Sequence, residues 1–413
     1  MIDSAYLQAL AAAKMVTATP AARGIPVWRE RGLVTAELLL SVFVERARQF
    51  WTPTVIEHPF LMPAPPYQRV FGGYTNTYTA RVPGLDGTWV LHPDNLHVNT
   101  AHCGGTRQRH PIIATGGLLR DLRGGAVPLF RDRHIWPAVQ ANHLVDPPEG
   151  PAALELWRQA VEATIAAAGL PVVTVEPAAP SPYGSTCLLA VSCLPDGRPT
   201  VLATLYILSD TYRHALGTNA AVIDVGFTGK IVAVAAMHHR DQHGLVLPSV
   251  IAPIQVGVVS ASATNRAAAD ELRGKLSASG VRLSVAEVRD RTYARWRAEQ
   301  RLHREAIPLV ISVPMHVLVR RVPMCREPIR GDAGTLLIAA ELEAHDARLA
   351  ARSARRFDRG LRQSGLLRVL CTGCAAAARP PLYGWTRPPS VGACTSCGKS
   401  GQQALLSEVS RIY

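Results

Sequence analysis

The sequence predicts an α+β protein built on an antiparallel sheet, followed by an α/β part with a mostly parallel sheet and a small cysteine-rich tail. Residues 188–192 and 200–208 have strand-like sequences on either side of a Pro-Asp-Gly turn at 195–197, which is typical of an antiparallel hairpin. From residue 254 onward, short apolar runs alternate with helical segments, which is typical of a parallel sheet. Two Cys-x-x-Cys pairs near the end of the chain predict a metal-binding tail.

The elements before residue 254 follow from periodicity and from Gly and Pro breakers. In chain order we expect a short helix and linker at 1–22, a helix at 34–51, short strands and turns through 98, a helix at 155–168, a strand at 171–176, the hairpin, and a helix at 230–238. The following segment, 237–244, holds three His and an Asp. Their spacing is weak evidence for a metal site, and we predict a polar turn.

The second part has a regular rhythm. Strands are expected at 254–260, 281–288 and 307–313, helices at 265–279 and 294–304, and then a long helix at 335–365. The surface of that long helix is expected to carry six arginines: Arg348, Arg352, Arg355, Arg356, Arg359 and Arg362.

Composition limits the classes of protein to consider. The 413 residues suffice for two to three domains, and 48% apolar against 18% charged residues excludes a disordered chain. No run approaches about 18 apolar residues, so a membrane span is excluded. The first residues lack the basic start and apolar core of a signal peptide, and we expect a cytoplasmic protein.

Charge is distributed unevenly along the chain. Residues 1–250 hold 19 Lys and Arg against 18 Asp and Glu, whereas residues 251–413 hold 25 against 13. Such asymmetry indicates a polyanion-binding part joined to a nearly neutral part. A preference for Arg in every basic position explains why only four of the 44 cations are Lys, but it does not explain the asymmetry.

The tail carries the strongest local motif. Cys371 and Cys374 form one pair, and Cys394 and Cys397 form another. Two such pairs supply four thiolates for a closed tetrahedral site, so we predict structural zinc. The alternatives are a reduced, metal-free hairpin or redox-active pairs. The Gly-Lys-Ser at 398–400 does not have the spacing of a phosphate-binding loop.

Residues 244–256 read GLVLPSVIAPIQV, and at this point the sequence resembles prolyl-tRNA synthetases of the archaeal and eukaryotic type. The resemblance extends to 23–51 for the family's motif 1, 118–144 for motif 2 and 224–248 for motif 3. It implies a class II aminoacyl-tRNA synthetase-like catalytic domain at 23–253 after an N-terminal helix and linker at 1–22. An anticodon-binding-like α/β domain at 254–333 follows, and then a long Arg-rich helix with a zinc-binding domain at 334–413.

The resemblance also implies an ATP site. Arg120 matches the first arginine of motif 2, Arg131 and Arg133 match the two in its loop, and Lys230 stands where motif 3 has arginine. These four are the ATP-binding candidates, and Arg120, Arg133 and Lys230 are the candidate catalytic residues. A lysine keeps the charge of arginine but loses its planar fork. The glutamate expected after the first arginine is Leu122.

The amino-acid pocket implied by the resemblance departs further from the family pattern. Where the family reads Arg-Pro-Thr-Ser-Glu, residues 92–96 read HPDNL, so the glutamate that meets the substrate nitrogen is Leu96. A Gln-Gly-Gly-Thr-Ser-His-His strand reads VLATLYI at 201–207. Asp94, Asn95 and Tyr206 remain as pocket candidates. Each lost charge-assisted contact costs on the order of 1–3 kcal/mol, so adenylate chemistry is expected to be absent.

The anticodon-binding-like part keeps a basic and aromatic cluster. It comprises Arg289, Arg291, Tyr293, Arg295, Trp296 and Arg297. Guanidinium groups bind phosphates and aromatic rings stack on unpaired bases, so the cluster predicts an RNA surface. The alternative is a solvated helix face.

Two functional hypotheses follow. The first is a prolyl-tRNA synthetase-like protein without ligase activity that binds tRNA or a protein partner. The second is an enzyme that activates another amino or carboxylic acid with ATP and Mg²⁺, in which Asp94 replaces the amine anchor. The resemblance implies a homodimer, and a heterodimer with a genuine synthetase is a further possibility. Double-stranded DNA binding has no helix-turn-helix pattern to support it.

Overall fold

The fold is taken from a computed structural model, which describes residues 4–72, 76–104, 110–122, 124–260, 265–289, 291–313, 317–322, 324–329 and 335–409. The predicted boundary at 333/334 lies outside these residues. No helix among them is long and apolar enough to cross a lipid bilayer.

The helices are α1 (Ala5–Ala12), α2 (Glu30–Arg48), α3 (Ala64–Phe71), α4 (Leu96–Gly104), α5 (Gly150–Ala167), α6 (Asp210–Ala215), α7 (Lys230–His239), α8 (Arg266–Ala278), α9 (Thr292–Arg304), α10 (Thr335–Phe357) and α11 (Thr372–Ala376). The strands of the first half are β1 (Thr54–Glu57), β2 (Leu61–Pro63), β3 (Thr79–Ala80), β4 (Trp89–Leu91), β5 (Ile112–Thr115), β6 (Leu118–Leu119), β7 (His134–Ile135), β8 (Ala138–Val145), β9 (Val173–Pro177), β10 (Gly184–Cys193), β11 (Pro199–Leu208) and β12 (Ala221–Thr228). Those of the second half are β13 (Val256–Ser260), β14 (Leu283–Glu287), β15 (Leu309–Val313), β16 (Val317–Arg321), β17 (Met324–Pro328), β18 (Leu367–Leu370), β19 (Leu382–Arg387), β20 (Val391–Ala393) and β21 (Ser400–Leu406).

A large sheet organises the first half of the chain. Its strand order is β1-β5-β8-β12-β11-β10-β9-β19-β21-β18, with β20 paired to β21. The β1–β5 pair is parallel, and the pairs from β5 through β9 are antiparallel. The hairpin predicted around residues 195–197 is the β10–β11 pair.

Side chains of the central strands alternate between two faces, as expected for a strand period of two. On β12, Ile223, Val225 and Phe227 point into an apolar core shared with helices α2, α5 and α7. On the other face the strands contribute to a smaller apolar cluster with α3 and α4, and polar side chains from the same face form the candidate site.

The second sheet contains the alternating strands and helices predicted from residue 254, but it is mixed rather than mostly parallel, because a hairpin of two antiparallel strands follows β15. Its order is β14-β13-β15-β16-β17, with β13 parallel to both neighbours and β16 and β17 antiparallel. Helices α8 and α10 pack against one apolar cluster of this sheet, and α9 packs against another.

The tail extends the large sheet. Strand β19 pairs with β9 and with β21, so the chain after α10 continues the sheet of the first half. The turn between β10 and β11 packs against the segment that follows α10, where a Cβ on Gly360 would lie 2.8 Å from the Cα of Gly197. Two glycines allow this close backbone approach.

The long Arg-rich helix differs from its prediction. The α-helix ends at Phe357 and continues as a π-helix, Asp358–Gln363. Arg352 and Arg356 are half-buried rather than on the surface, and they donate hydrogen bonds to the main-chain carbonyls of His239 and His238. The last carbonyls of a helix carry partial negative charge, so these two arginines stabilise the C-terminus of α7.

The helix predicted at 230–238 is confirmed and includes His238, whereas the polar turn predicted after it was wrong for His239. Both lie in the last turn of α7 and are fully buried. Nε2 of His238 donates to the carbonyl of Cys193 at 2.7 Å, and Nε2 of His239 donates to the carbonyl of Ala168 at 3.0 Å. Their partners are structural, and only the residues from Arg240 to His243 form the turn.

Candidate functional site

A row of polar side chains crosses the large sheet on the face opposite its main core. Strand register sets Asn142 of β8 beside Asp224 of β12, and Asp224 beside Tyr206 of β11. Gln140, two residues before Asn142, lies on the same face. These polar residues interrupt strands whose other face is apolar, so the sheet brings together groups that are far apart in sequence.

Asp224 is the centre of a buried hydrogen-bond network. Its Oδ1 accepts from Nε2 of Gln140 at 2.8 Å and from Nδ2 of Asn142 at 2.9 Å, and its Oδ2 accepts from the hydroxyl of Tyr183 at 2.6 Å. Burial, together with the nearby charge of Asp94, raises the pKa of Asp224 to about 6. The network therefore holds a carboxyl group that takes up a proton just below neutral pH.

Asp94 connects this network to Arg120. Its Oδ1 accepts from the backbone of Leu96 at 2.9 Å and from Nε2 of Gln140 at 3.1 Å, and its Oδ2 accepts from Nη2 of Arg120 at 3.0 Å. Nε of Arg120 donates to the carbonyl of Pro93. Arg120 is therefore held by this stretch of chain on two sides.

A cavity of about 560 Å³ lies over this network. The predicted residues Asp94, Arg120, Tyr206 and Lys230 all line it. Asn95 does not line it: the residue is buried, and its backbone N–H donates to Oε1 of Gln140. The structure thus brings together four of the seven residues predicted for the ATP and amino-acid sites and places Asn95 behind them.

Lys230 lies at the first residue of α7, with its Nζ 5.4 Å from the ring centroid of Phe130. Among the described residues, no carboxylate lies within salt-bridge distance of its ammonium group. Burial without a counter-ion lowers the pKa of Lys230 to about 7. A bound anion would favour its charged form.

The two loop arginines lie away from the cavity wall. Arg131 is exposed, and Nη1 of Arg133 donates to the carbonyl of Arg23 at 3.0 Å. Between them, Asp132 is buried and accepts from the backbone of Leu129 at 2.6 Å. Burial raises the pKa of Asp132 to about 7. The loop is therefore held by the hydrogen bonds of Asp132 and Arg133, and its two arginines do not contribute to the cavity wall.

The predicted RNA-binding residues lie at the start of α9 and just before it. Tyr293 is 66% exposed and Trp296 is 48% exposed, and their rings stack with centroids 5.8 Å apart. The guanidinium of Arg297 lies 5.8 Å from the Tyr293 ring. Arg289 and Arg291 are exposed, and Arg295 lies with Tyr293 and Trp296 along a surface depression of about 540 Å³. Flat aromatic rings next to cations are suited to stacking on bases.

The four predicted cysteines converge. The sulfur atoms of Cys371, Cys374, Cys394 and Cys397 all lie within 4.8 Å of one another, and Sγ of Cys371 is 3.6 Å from Sγ of Cys397. Four sulfur atoms at about 2.3 Å from a zinc ion would be roughly 3.8 Å apart. A backbone hydrogen bond from Cys371 contributes most to lowering the pKa of the Cys394 thiol, to about 6, which favours the thiolate that binds metals. This cluster could hold a metal such as zinc.

Comparison with known proteins gives one consistent result. No family model matches the chain. The proline–tRNA ligase of Cenarchaeum symbiosum is 27% identical over 149 residues, covering 32% of this chain and 31% of that protein, and the one from Mycobacterium leprae is 27% identical over 156 residues. The matched region spans about a third of the length of these curated relatives.

The prolyl-tRNA synthetase of Cryptosporidium parvum, complexed with halofuginone and AMPPNP, superposes with a TM-score of 0.80 at 17% identity, covering 98% of this chain and 94% of that one. The Giardia lamblia enzyme, in complex with prolyl-adenylate, gives 0.79 at 16% identity, covering 98% and 97%.

The chain is similar to prolyl-tRNA synthetases, in sequence over about a third of its length and in fold over nearly all of it.

The departures from the prolyl-tRNA synthetase pattern can now be located. Leu96, at the position of the pattern's glutamate, is fully buried at the start of α4. Val201, at the position of its glutamine, lines the cavity. Both changes replace a polar group by an apolar one, and the carboxylates that line the cavity are those of Asp94 and Asp224.

Asp224, Gln140, Asn142 and Tyr183 were missed by sequence reasoning. The available signal was the presence of Gln140 and Asn142 in an otherwise apolar strand, and of Asp224 in another. Alternation shows that such residues share one face of their strand. It does not show which strands are neighbours, and that information is needed to recognise the network.

Proposed function

We propose that this chain is a prolyl-tRNA synthetase relative that binds tRNA and does not form prolyl-adenylate. The observation that carries the proposal is the ion pair between Arg120 and Asp94, with Nη2 and Oδ2 3.0 Å apart. By resemblance, Arg120 is the cation that holds the α-phosphate. Here a carboxylate already neutralises it, and phosphate binding would require that pair to break.

The other cation of the cavity supports the same conclusion. Stabilising a triphosphate in the transition state requires preorganised positive charge. Burial lowers the pKa of Lys230 to about 7, so without a bound anion its ammonium is not a permanent charge in the way that an arginine's guanidinium is. Arg131 and Arg133 contribute nothing to the cavity wall in this arrangement. The cavity therefore presents little fixed positive charge to a nucleotide.

RNA binding rests on a different part of the chain. The stacked rings of Tyr293 and Trp296 are exposed, and Arg297 lies beside them. Two neighbouring exposed aromatic rings are typical of a binding surface. Unpaired bases can stack on such rings while the flanking guanidinium groups bind the phosphates. Together with the excess positive charge after residue 250, these contacts support tRNA as the partner.

We further propose a cytoplasmic homodimer with one structural zinc per chain. The region matching motif 1, residues 23–51, exposes two apolar side chains, Leu33 on α2 and Phe50 after it. Val55, on the edge strand β1 that follows, is exposed as well. An exposed apolar surface of this kind is suited to self-association. Nothing in the described part of the chain favours a mixed dimer with another synthetase. ATP and Mg²⁺ would be cofactors of this chain only under the alternative hypothesis, in which it is an enzyme that activates an amino or carboxylic acid.

Amino-acid-dependent ATP–pyrophosphate exchange tests the loss of chemistry. We expect no exchange with proline above the enzyme-free background, with a genuine prolyl-tRNA synthetase as the positive control. The Asp94→Asn variant should bind ATP at least about tenfold more tightly, because it releases the guanidinium of Arg120. Exchange with proline, or with any other acid in a broad screen, would contradict the proposal, and the second outcome would establish the activating enzyme.

Filter binding of tRNA at two salt concentrations tests the RNA surface. We expect Trp296→Ala to weaken binding by about 1–3 kcal/mol at either salt concentration, and Arg297→Ala to reduce the salt dependence by about one counterion. Arg273→Ala serves as the matched control, since Arg273 is an exposed arginine on α8, which packs on the other side of the same sheet. Equal effects of Arg273→Ala and Arg297→Ala would show that general charge, rather than this cluster, binds the RNA.

A further inference from the structure

A chain of hydrogen bonds runs from the cavity to a cluster of histidines. Nδ2 of Asn142 donates to Oδ1 of Asp224 at 2.9 Å, and Nδ2 of Asn99, on α4, donates to Oδ1 of Asn142 at 2.8 Å. Oδ1 of Asn99 lies 2.7 Å from Nε2 of His58, the residue that follows β1. Asp224 is the member of this chain that lines the cavity. The chain therefore connects a carboxylate of the cavity to an imidazole of the cluster.

The direction of every donor in this chain is fixed. The two hydrogens of the Asn142 amide are taken by Asp224 and by the main-chain carbonyl of Ile223, 3.4 Å away. Those of the Asn99 amide are taken by Asn142 and by the main-chain carbonyl of Gln140, also at 3.4 Å. A carbonyl or an ionised carboxylate can only accept, so neither amide can turn round without losing hydrogen bonds. The last oxygen of the chain is consequently an acceptor, and the imidazole must donate to it from Nε2.

Three more histidines surround the outer end of the chain. The ring centroid of His58 lies 5.6 Å from that of His92 and 5.7 Å from that of His102. His97 of α4 is buried near them, and Asp94 is the carboxylate whose charge acts on His92 and His97. Burial lowers the pKa of His58, of His92 and of His97, the last to about 4. These three rings are therefore uncharged at neutral pH and take up a proton only in more acidic solution.

Other titratable groups lie around the cavity end of the chain. Burial and the charge of Asp94 raise the pKa of Asp224 to about 6. Tyr183 donates to Oδ2 of Asp224 at 2.6 Å, so the chain ends on the other oxygen of the carboxylate. Tyr206 lies beside Asp224 on β11, and Lys230 lines the same cavity. The carboxyl group thus titrates in the range in which histidines also titrate.

The charge at one end of the chain affects the other end. The hydrogen bond to Asn99 favours the charged form of His58, whereas a charge on His102 disfavours it. An ionised Asp224 polarises both amides of the chain, which makes Oδ1 of Asn99 a stronger acceptor. Ionisation of Asp224 therefore favours a proton on His58. By linkage, a proton on His58 favours the ionised form of Asp224 to the same extent.

We propose that His58 and Asp224 form one proton-sensing pair, in which the two asparagines between them couple the histidine cluster to the cavity. As the pH falls, a proton taken up by His58 stabilises the ionised form of Asp224. The cavity then loses its charge at a lower pH than it would without the chain, and the two titrations belong to the pair rather than to either residue. This coupling does not depend on which ligand the cavity binds, and it is separate from the proposed function.

Nuclear magnetic resonance of the purified full-length protein with isotope-labelled histidine tests the direction of the chain. The signals of His58 are those lost in His58→Gln. At neutral pH we expect the uncharged ring of His58 to carry its hydrogen on Nε2. A hydrogen on Nδ1 instead would overturn the proposal, because Nε2 could not then donate to Asn99.

Titration of His58 in Asp224→Asn measures the coupling. The asparagine keeps the hydrogen bonds of the chain and removes only the charge, so the pKa of His58 should be lower than in the wild type. Conversely, His58→Gln should raise the pKa of Asp224, followed by the side-chain carboxyl resonance that Asp224→Asn removes. An unchanged pKa of either group would overturn the proposal.

Asn99→Leu distinguishes the chain from direct attraction between the two charges. Leucine neither donates nor accepts, so in this background Asp224→Asn should shift the pKa of His58 by less than about half as much as in the wild type. An equal shift in both backgrounds would show that the asparagines do not couple the two groups. Asn99→Ala serves if the leucine variant does not fold, and the titration in Asp224→Asn alone remains decisive.

Two control variants remove exposed titratable groups elsewhere. Asp86→Asn removes an exposed carboxylate and should leave the pKa of His58 unchanged. His214→Gln removes an exposed imidazole and should leave the pKa of Asp224 unchanged. If the control variants shifted these pKa values as much as Asp224→Asn and His58→Gln do, the cause would be net charge and the proposal would be wrong.

Discussion

Replacing Asp224 by asparagine should stabilise the protein at neutral pH. The side chain is buried, and its carboxylate accepts from Gln140, Asn142 and Tyr183. An asparagine can keep the first two of these hydrogen bonds through its oxygen, while its amide donates to the hydroxyl of Tyr183, which can rotate to accept. The substitution therefore removes a buried charge and retains the network.

The size of the expected change in stability follows from the pKa of Asp224. An exposed aspartate has a pKa of 3.8, and in the folded protein the pKa of Asp224 is raised to about 6 by burial and by Asp94. The folded state thus holds a proton that the unfolded state releases between about pH 4 and pH 6, so stability falls as pH rises through that window. The loss amounts to about 3 kcal/mol at pH 7.5 and about half of that at pH 5. At about 2.1 cal/mol/K per residue, the unfolding entropy of 413 residues is near 0.9 kcal/mol/K, so the loss corresponds to about 3 °C in melting temperature.

Melting temperatures of the wild type and Asp224→Asn, measured by circular dichroism at pH 7.5 and pH 5, provide the assay. The variant should melt about 3 °C higher at pH 7.5, and the difference should be about half as large at pH 5. Asp86→Asn removes an exposed carboxylate and should give no pH-dependent difference. If the variant melted below the wild type at pH 7.5, the hydrogen bonds to the ionised carboxylate would outweigh the effect of its burial, and the prediction would be wrong. A difference in melting temperature that did not change with pH would also contradict it, because the raised pKa of Asp224 would then not be its cause.

Three further outcomes are expected. Purified protein should contain one zinc per chain by elemental analysis, and Cys394→Ser should lose it; an unchanged zinc content would place the metal elsewhere. Arg356→Gln should lower the free energy of unfolding by about 1–3 kcal/mol in thermal denaturation, because the carbonyl of His238 loses its charged donor, whereas Arg355→Gln should change it by less than about 0.5 kcal/mol. Sedimentation equilibrium should give the mass of a dimer, and Leu33→Arg should shift it towards the monomer; a monomeric wild type would contradict the proposed role of the exposed apolar surface.

Much of the fold could be predicted from sequence because the signals are local. The β10–β11 hairpin follows from strand-like sequences on either side of a Pro-Asp-Gly turn, and the strands and helices after residue 254 follow from a change of period. Their predicted ends differ from the observed ends by a few residues, because residue patterns indicate that a helix is present more reliably than they indicate where it begins and ends. Helix α2, for example, begins at Glu30, four residues before the predicted start.

The long helix shows where pattern reading fails. Six arginines between residues 348 and 362 indicate a basic surface, and nothing in the sequence marks Arg352 and Arg356 as different from the rest. The structure directs these two inward, onto the carbonyls that end α7. Part of the charge excess in the second half of the chain therefore serves internal packing, and RNA binding does not require all of it.

The class of fold, the resemblance to prolyl-tRNA synthetases and the two Cys-x-x-Cys motifs near the end of the chain could all be read from the residues alone. These rest on periodicity, on motif order and on spacing within one segment, all of which are properties of neighbouring residues. Only the fold shows that Arg120 is neutralised by Asp94, that Asp224 anchors a buried network, and that Arg352 and Arg356 point inward onto the carbonyls that end α7. The reason is that the protonation state of a side chain depends on charged and polar groups within a few ångströms of it. Strands far apart in the sequence bring those groups together, and the number of residues between two groups does not predict their distance in space.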